Sequence, residues 1–286
     1  AVVNSIQSIE DSPNRNCGKI TIFAQRESTG QTGIENAAPL DRFESFSITD
    51  NGLGFNHSNY ESFNPAYSTF KIAKGCKGIG RFLWLKAFES VEVTSIFREG
   101  EKYFQRSFEF SPSGIDPENN LEEISKQAIT TTVKLKNFLH RYRYAAPVEL
   151  PVIAKKIIEH CLPFFISGEC PEIIIQDGIS DPINLNQYFD NTIKNSLHQD
   201  NFTINKELFT IFHLRMPEGV SKHELHLCAN MQEVSAIELK RHIPDLQTRI
   251  HAEGDQKGFY YVGYVTSNYL DTAVNVTRTG FDFDEN

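Results

Sequence analysis

The sequence lacks a long apolar run: no stretch approaches the eighteen or so residues that a membrane-spanning helix needs, which argues against a membrane partner. No secretory leader is visible. Paired cysteines are missing as well. The five present (Cys17, Cys76, Cys161, Cys170, Cys228) are odd in number, scattered and without a CxxC pair. That pattern disfavours a disulfide framework or a zinc site and fits a reducing, cytoplasmic setting. A cationic excess is also absent. A formal charge of -9 argues against a passive nucleic-acid binder held by bulk charge. One local basic stretch, His140-Arg141-Tyr142-Arg143-Tyr144, reads either as a solvated surface or as a small patch for DNA. Internal repeats, low-complexity tracts and coiled-coil heptads are likewise absent.

What is present centres on Asp50-Asn51-Gly52-Leu53-Gly54-Phe55. It follows a short alternating run (Phe46, Ile48), which puts the acid where a strand ends and a glycine turn begins. Two glycines without Cβ atoms let a backbone approach a ligand closely, with the carboxylate at the mouth of the turn as acceptor. The same residues also read as a plain loop turn. Upstream, Val2, Val3, Ile6 and Ile9 share one helical face, and Asn4, Ser8 and Asp11 fall on the opposite arc. Asn4 therefore faces either solvent or a metal ion with its phosphates. The chain opens on this amphipathic segment without a capping residue, so it is read as a piece of something longer.

Lys19–Ala24 predicts a strand, and residues 26–40 a long hairpin loop. Residues 56–74 read as a lid-like connection. Next comes Lys74-Gly75-Cys76-Lys77-Gly78-Ile79-Gly80-Arg81-Phe82, glycines and cations leading into a helix (Phe82, Leu83, Leu85, Phe88). Amides at such a helix start bind phosphate; a glycine-rich hinge is the bland alternative. The stretch misses a P-loop because Arg81-Phe82 stands where Lys-Ser/Thr is required. A hairpin follows, Val91–Phe97 and Tyr103–Phe110 about Arg98-Glu99-Gly100, then a loop with a short helix at 111–128 and a strand at 130–135. A helix over 151–161 leads to strands at 172–176, 183–189, 208–214, 223–227 and 259–265, with a helix near 234–241. His223-Glu224-Leu225-His226 lacks metalloprotease spacing and reads as strand. A loop-like segment, 270–281, carries Asn275 and Arg278.

In this order the motifs resemble those of the GHKL ATPases, which include gyrase-type topoisomerases, ninety-kilodalton heat-shock chaperones, MutL and MORC proteins. The resemblance implies an α/β (α+β) chain: a two-layer Bergerat ATP-binding sandwich over 1–145, then a transducer-like mixed β/α domain over 146–286. It implies ATP and Mg2+ as cofactors. Asn4 matches the magnesium-coordinating asparagine and Asp50 the acceptor of the adenine amino group, with Gly52 and Gly54 shaping that pocket. Gly75, Lys77, Gly78, Ile79, Gly80 and Arg81 match the phosphate segment, and Thr131 the threonine of the family's Gly-Thr strand, with Thr130 where glycine is usual. Arg278 is similar to the arginine that reaches the γ-phosphate. The family's general-base glutamate would precede Ala1. The implied function is an ATP-hydrolysing conformational switch, homodimeric when ATP-bound and driving an effector beyond residue 286, with DNA repair or bacterial defence as settings. A non-hydrolysing ATP-binding scaffold and a nucleic-acid-binding module are the alternatives.

Overall fold

In the computed structural model the described residues are 1–13, 15–27, 41–63, 80–115, 120–194, 197–216, 220–246, 248–251, 257–275 and 280–283. They form a mixed α/β chain with two sheets, as expected. They divide into two compact units: the chain up to Lys156 together with Cys170–Asn186, and Ile157–Glu169 together with Gln187 onward.

The first unit opens on α1 (Val2–Glu10) and a 3-10 turn at Arg15–Cys17, then β1 (Lys19–Arg26) and β2 (Phe43–Asp50). α2 (His57–Phe63) and α3 (Gly80–Ala87) precede β3 (Phe88–Glu99), β4 (Lys102–Ser111), β5 (Gly114–Ile115), β6 (Asn120–Ile124), β7 (Thr130–Phe138) and α4 (His140–Arg143). Along the chain come α5 (Leu150–His160), which passes into the second unit at Ile157, and α6 (Leu162–Ser167) of that second unit; β8 (Glu172–Gln176) and β9 (Ile183–Asn184) return to the first. The sheet order is β5-β4-β3-β7-β2-β1-β8-β9, with β6 also on β4. Period-two alternation sets its buried face: Ile20, Ile22 and Ala24 on β1, Ile48 on β2, Val91, Val93 and Phe97 on β3, Val133 and Leu135 on β7. α1 lies against β1 and β2 through Ile6 and Ile9. Phe63 of α2 meets Phe108 and Phe110 of β4 and Trp84 of α3 at 5.5–6.3 Å between ring centroids.

β8 pairs in parallel with β1, Ile20 opposite Ile173 and Ile22 opposite Ile175. A single cut at 145/146 would assign it to the second half, yet its hydrogen bonds lie in the first sheet. One ion pair fastens the far end of this pairing. Arg26 and Asp177 have side chains 4% and 0% exposed and meet at 2.7 Å. Arg26 also lies 4.1 Å from the Phe43 ring centroid and donates to the Asp41 carbonyl. Asp177 accepts from the Ile179 and Ser180 amides and the Ser180 hydroxyl.

The second unit takes most of α7 (Leu185–Thr192), then β10 (His198–Ile204), β11 (Glu207–Met216), β12 (Glu224–Ala229), β13 (Gln232–Glu238), a 3-10 turn at Leu239–Arg241, β14 (Tyr260–Thr266) and α8 (Asn268–Ala273). Its sheet order is β10-β11-β14-β12-β13. Two hairpins turn on residue pairs with positive φ, Asn205-Lys206 and Asn230-Met231. That is the mirror-image turn whose twist suits a two-residue loop, and asparagine tolerates it without being glycine. α8 begins where the Ser267 hydroxyl accepts the Tyr269 and Leu270 amides. Leu270 then packs on Phe209 and Val265.

Four local expectations are corrected. Residues 120–124 form strand β6 against β4, not a short helix. Residues 185–192 are helical, because Leu185, Phe189 and Ile193 at four-residue spacing are all buried. The helix expected near 234–241 is strand β13 as far as Glu238, paired to β12 across the Asn230-Met231 turn, and only Leu239–Arg241 form a 3-10 turn. Part of the 270–281 loop is α8.

Changing Arg26 to Met leaves a buried carboxylate without its cation and should cost about 3–5 kcal/mol in urea unfolding at neutral pH. Burial raises the Asp177 pKa, but its amide, hydroxyl and Arg26 hydrogen bonds outweigh that and hold it below the ordinary 3.8. A depressed carboxylate stabilises the fold above its unfolded value and loses that contribution as pH falls through the folded one. The gap between parent and variant should therefore narrow as pH is taken below 3.8; a gap constant with pH would contradict the ion-pair account.

Candidate functional site

Asp50 ends β2 and is 4% exposed. A carboxylate in that position needs donors, because burial without them is costly. α1 supplies one, the Ser5 hydroxyl at 2.7 Å to Oδ2. The turn supplies another, the Gly52 amide at 3.0 Å to Oδ1. The same turn is tied back to α1: the Leu53 amide donates to both Oγ (3.1 Å) and the carbonyl (3.3 Å) of Ser8. Asn51 donates to the Cys17 carbonyl and accepts the Lys19 amide, each at 2.8 Å, which fixes the start of β1.

Both glycines are required by the protein's own packing. A Cβ at Gly52 would stand 2.4 Å from Ser8 Oγ and 2.7 Å from the Ser8 carbonyl carbon. Gly54 has φ +77°, and a Cβ there would stand 2.8 Å from Ser95 Oγ. Close backbone approach was expected for a ligand; here it serves α1 and β3.

Thr131 on β7 is the register partner of both Asp50 on β2 and Ser95 on β3. These three residues are 4%, 4% and 0% exposed and form a polar row across three adjacent strands. Ser95 Oγ lies 2.8 Å from Thr131 Oγ1 and accepts the Phe55 amide at 2.8 Å. The row is thus continuous with the turn. Ser5 and Ser95 escaped the sequence reading, which placed the polar arc of α1 on Asn4, Ser8 and Asp11. The available signal for Ser5 was a hydroxyl beside Ile6 on a buried helix face, which demands a partner.

The segment after the turn is anchored at its start. The Asn56 side chain accepts the Asn59 amide at 2.8 Å and so caps α2, and Asn59 donates to the Gly54 carbonyl. Arg106 from β4, 2% exposed, donates to the carbonyls of Phe55 (2.7 Å) and Asn56 (3.0 Å) and sits 4.3 Å from the Tyr60 ring centroid. Glu99 accepts the His57 amide and its ring nitrogen. Burial raises the Glu99 pKa, but those His57 bonds and the neighbouring charges hold it below the ordinary 4.5. Residues 57–63 of the expected lid are therefore a fastened helix.

Asn4 is exposed on α1. Gly75, Lys77, Gly78, Ile79 and Arg278 lie outside the described residues. Gly80 and Arg81 begin α3, and only their backbone is described. In the basic stretch, Arg143 pairs with Glu27 at 2.6 Å, and the exposed Arg141 donates to the Lys86 carbonyl. His223, 2% exposed, accepts the Tyr261 amide and lies 2.7 Å from the Thr248 carbonyl, which makes it structural. Burial pushes the thiols of Cys161 and Cys228 up to about 12. Among the described residues, no helix is long and apolar enough to cross a membrane.

No protein-family model and no curated protein matches the sequence. Among solved structures, the chain is similar to the 43K ATPase domain of Thermus thermophilus gyrase B (14% identity, 92% of this chain and 74% of that one, TM-score 0.46). It is also similar to the ATPase region of Saccharomyces cerevisiae topoisomerase II (10%, 92% and 71%, TM-score 0.48) and to the topoisomerase IV ATP-binding domain of Francisella tularensis (13%, 97% and 85%, TM-score 0.40).

Replacing Gly52 by Ala should destabilise the chain by about 1–3 kcal/mol through forced movement of α1. Ser5→Ala should cost a comparable ~1–3 kcal/mol, since the buried Asp50 carboxylate loses a donor. The double variant should cost less than the sum, because both act on one α1–turn contact. Strict additivity in chemical denaturation would contradict that coupling.

Proposed function

We propose that the first unit binds ATP through the Asp50–Thr131 row and that the chain works as an ATP-hydrolysing conformational switch. The observation that carries this reading is the buried Asp50 carboxylate, oriented by Ser5 and Gly52 with a hydroxyl in register on the next strand. The Ser5 hydroxyl and the Gly52 amide fix the direction of that carboxylate. An acceptor beside a hydroxyl suits the adenine edge, which offers an amino donor next to a ring-nitrogen acceptor. Guanine presents a carbonyl where adenine has its amino group, and two acceptors then face each other.

The rest of the reading follows from the motif order. The segment Gly75–Arg81, which runs into the first residues of α3, would take the phosphates through its amides, with Lys77 and Arg81 as cations. Arg278 would reach the γ-phosphate as a planar donor. Asn4 is exposed and, among the described residues, makes no hydrogen bond through its side chain. That leaves its amide oxygen suited to a hard cation that keeps most of its waters and shares the rest with phosphate. Magnesium bound there would neutralise phosphate charge. Hydrolysis further requires a general base for the attacking water. ATP-dependent pairing of two copies and coupling to an effector complete the proposal.

The test is thermal and chemical stability with magnesium and a non-hydrolysable ATP analogue, on the parent and on Asp50→Asn. Ligand at a hundred times its dissociation constant should stabilise the parent by about 2.7 kcal/mol and leave the variant unmoved. The corresponding GTP analogue should do nothing to either. An equal response of parent and variant, or of the two nucleotides, would remove Asp50 from base recognition and sink the proposal.

A further inference from the structure

The sheet of the second unit ends on two strands of different character. β13 carries Glu233 and Glu238 and pairs with β12 across a register shift at Leu227/Cys228, so that edge is charged and irregular. β10 runs through 7 residues in unbroken antiparallel register with β11, and all of them are exposed. Its sequence, His-Gln-Asp-Asn-Phe-Thr-Ile, contains no lysine, proline or glycine. Strand edges are ordinarily blunted by such residues, by shortness or by a bulge, because an open row of amides and carbonyls pairs with any strand that reaches it. The carboxylate that β10 does carry, Asp200, is met by His213 at 3.3 Å.

The turn decides which backbone groups lie open. Asn205-Lys206 is a two-residue loop, which makes Ile204 and Glu207 a hydrogen-bonded pair. Alternation then directs the amides and carbonyls of Gln199, Asn201 and Thr203 away from β11, and no described strand takes them. The side chains supply a second observation. Phe202 stacks on Phe209 with ring centroids 5.3 Å apart, Phe209 meets Tyr269 at 6.3 Å, and Tyr269 stacks on Phe283 at 6.0 Å. This file of rings runs outward from α8 and stops at the sheet edge on Phe202, 36% exposed, beside Ile204, 53% exposed.

We infer that β10 pairs antiparallel with β10 of a second copy of this chain, about a two-fold axis at Phe202. In that register Asn201 bonds to Thr203 of the second copy through amide and carbonyl, and Thr203 to its Asn201. The two Phe202 rings meet at a non-hydrogen-bonded position, where cross-strand side chains are closest, and the aromatic file continues from one copy into the other. Self-complementarity of this kind is what a two-fold contact requires and what singles out a second copy as the occupant. A two-fold at Asp200 would oppose two carboxylates, and one at Asn201 would set Phe202 against Asp200 of the second copy; like charges directly opposite destabilise a strand pair. The contact uses the second unit alone and is independent of the ATP-dependent pairing proposed above.

The test is sedimentation equilibrium of the full chain, without nucleotide or magnesium, from micromolar to hundreds of micromolar protein. The parent should show a reversible monomer–dimer equilibrium with a micromolar dissociation constant. Since each copy carries a formal charge of -9, moderate salt should tighten it. Thr203→Pro removes an outward amide and no bond to β11, a change that edge strands tolerate, and should weaken pairing about tenfold or more. Phe202→Lys, which opposes two cations across the axis, should leave a folded monomer where the proline variant does not fold. A parent that stays monomeric leaves the edge to a different chain and overturns the inference. So does a dimer that both folded variants retain, growth beyond dimers, or pairing that appears only with the ATP analogue.

Discussion

Asp50 is a carboxyl group only 4% exposed, and much of the first unit's local geometry follows from supplying it with donors. One donor comes from the helix at the start of the chain and one from the turn that the aspartate itself begins. The Ser5 bond fixes how α1 lies on β1 and β2. The Gly52 bond curls the turn until its backbone touches Ser8, a contact that excludes any side chain at position 52. Hydrophobic burial of Ile6 and Ile9 would hold α1 on the sheet at many rotations. The directional bonds from Ser5 and Ser8 select one.

The same economy runs sideways along the sheet. Asp50, Thr131 and Ser95 replace apolar side chains on the buried face of three strands, and each is compensated by a neighbour. Buried polar groups stabilise only as a satisfied set. Ser95 completes this one by accepting the Phe55 amide, which forces Gly54 into its left-handed conformation beside β3. Arg106 then takes the next two carbonyls, and α2 starts from a backbone fixed on both sides. The row that offers an acceptor and hydroxyls and the start of α2 are parts of one hydrogen-bonded construction.

Reading from sequence succeeded where periodicity is strong or a motif has its own chemistry. The strands at 19–24, 91–97, 103–110 and 130–135, and the acid at the end of β2, stand where alternation and the glycine turn put them. It failed where tertiary partners decide. β13 and α7 are short segments with ambiguous apolar spacing; the Asn230-Met231 turn and the Asn186 side chain, which accepts the Ile173 amide, settle them. Hairpin turns built on Asn-Lys and Asn-Met lack the Gly that marks such turns in sequence. β8 could not be placed in the first sheet, because no local pattern reports that a strand will return beside β1 in parallel. Ser5 and Ser95 were illegible for the same reason: a serine becomes informative only once its buried partner is known.

The second unit illustrates how differently two faces of one sheet can be used. On one face of β11, β12 and β14, Phe209, Val265 and Leu225 are closed over by α8 in an ordinary apolar contact. On the other, Glu224 and His226 sit one residue from Leu225 and Leu227, so the alternation that builds a core on the first face places charge on the second. Helix α5 brings Glu159 to that face, and Tyr264 stacks its ring on His226. An apolar residue at any of these positions would fill the space and remove the electrostatic cost. The charged groups on that face are instead met in pairs, Glu233 by His226 and Glu224 by Lys222.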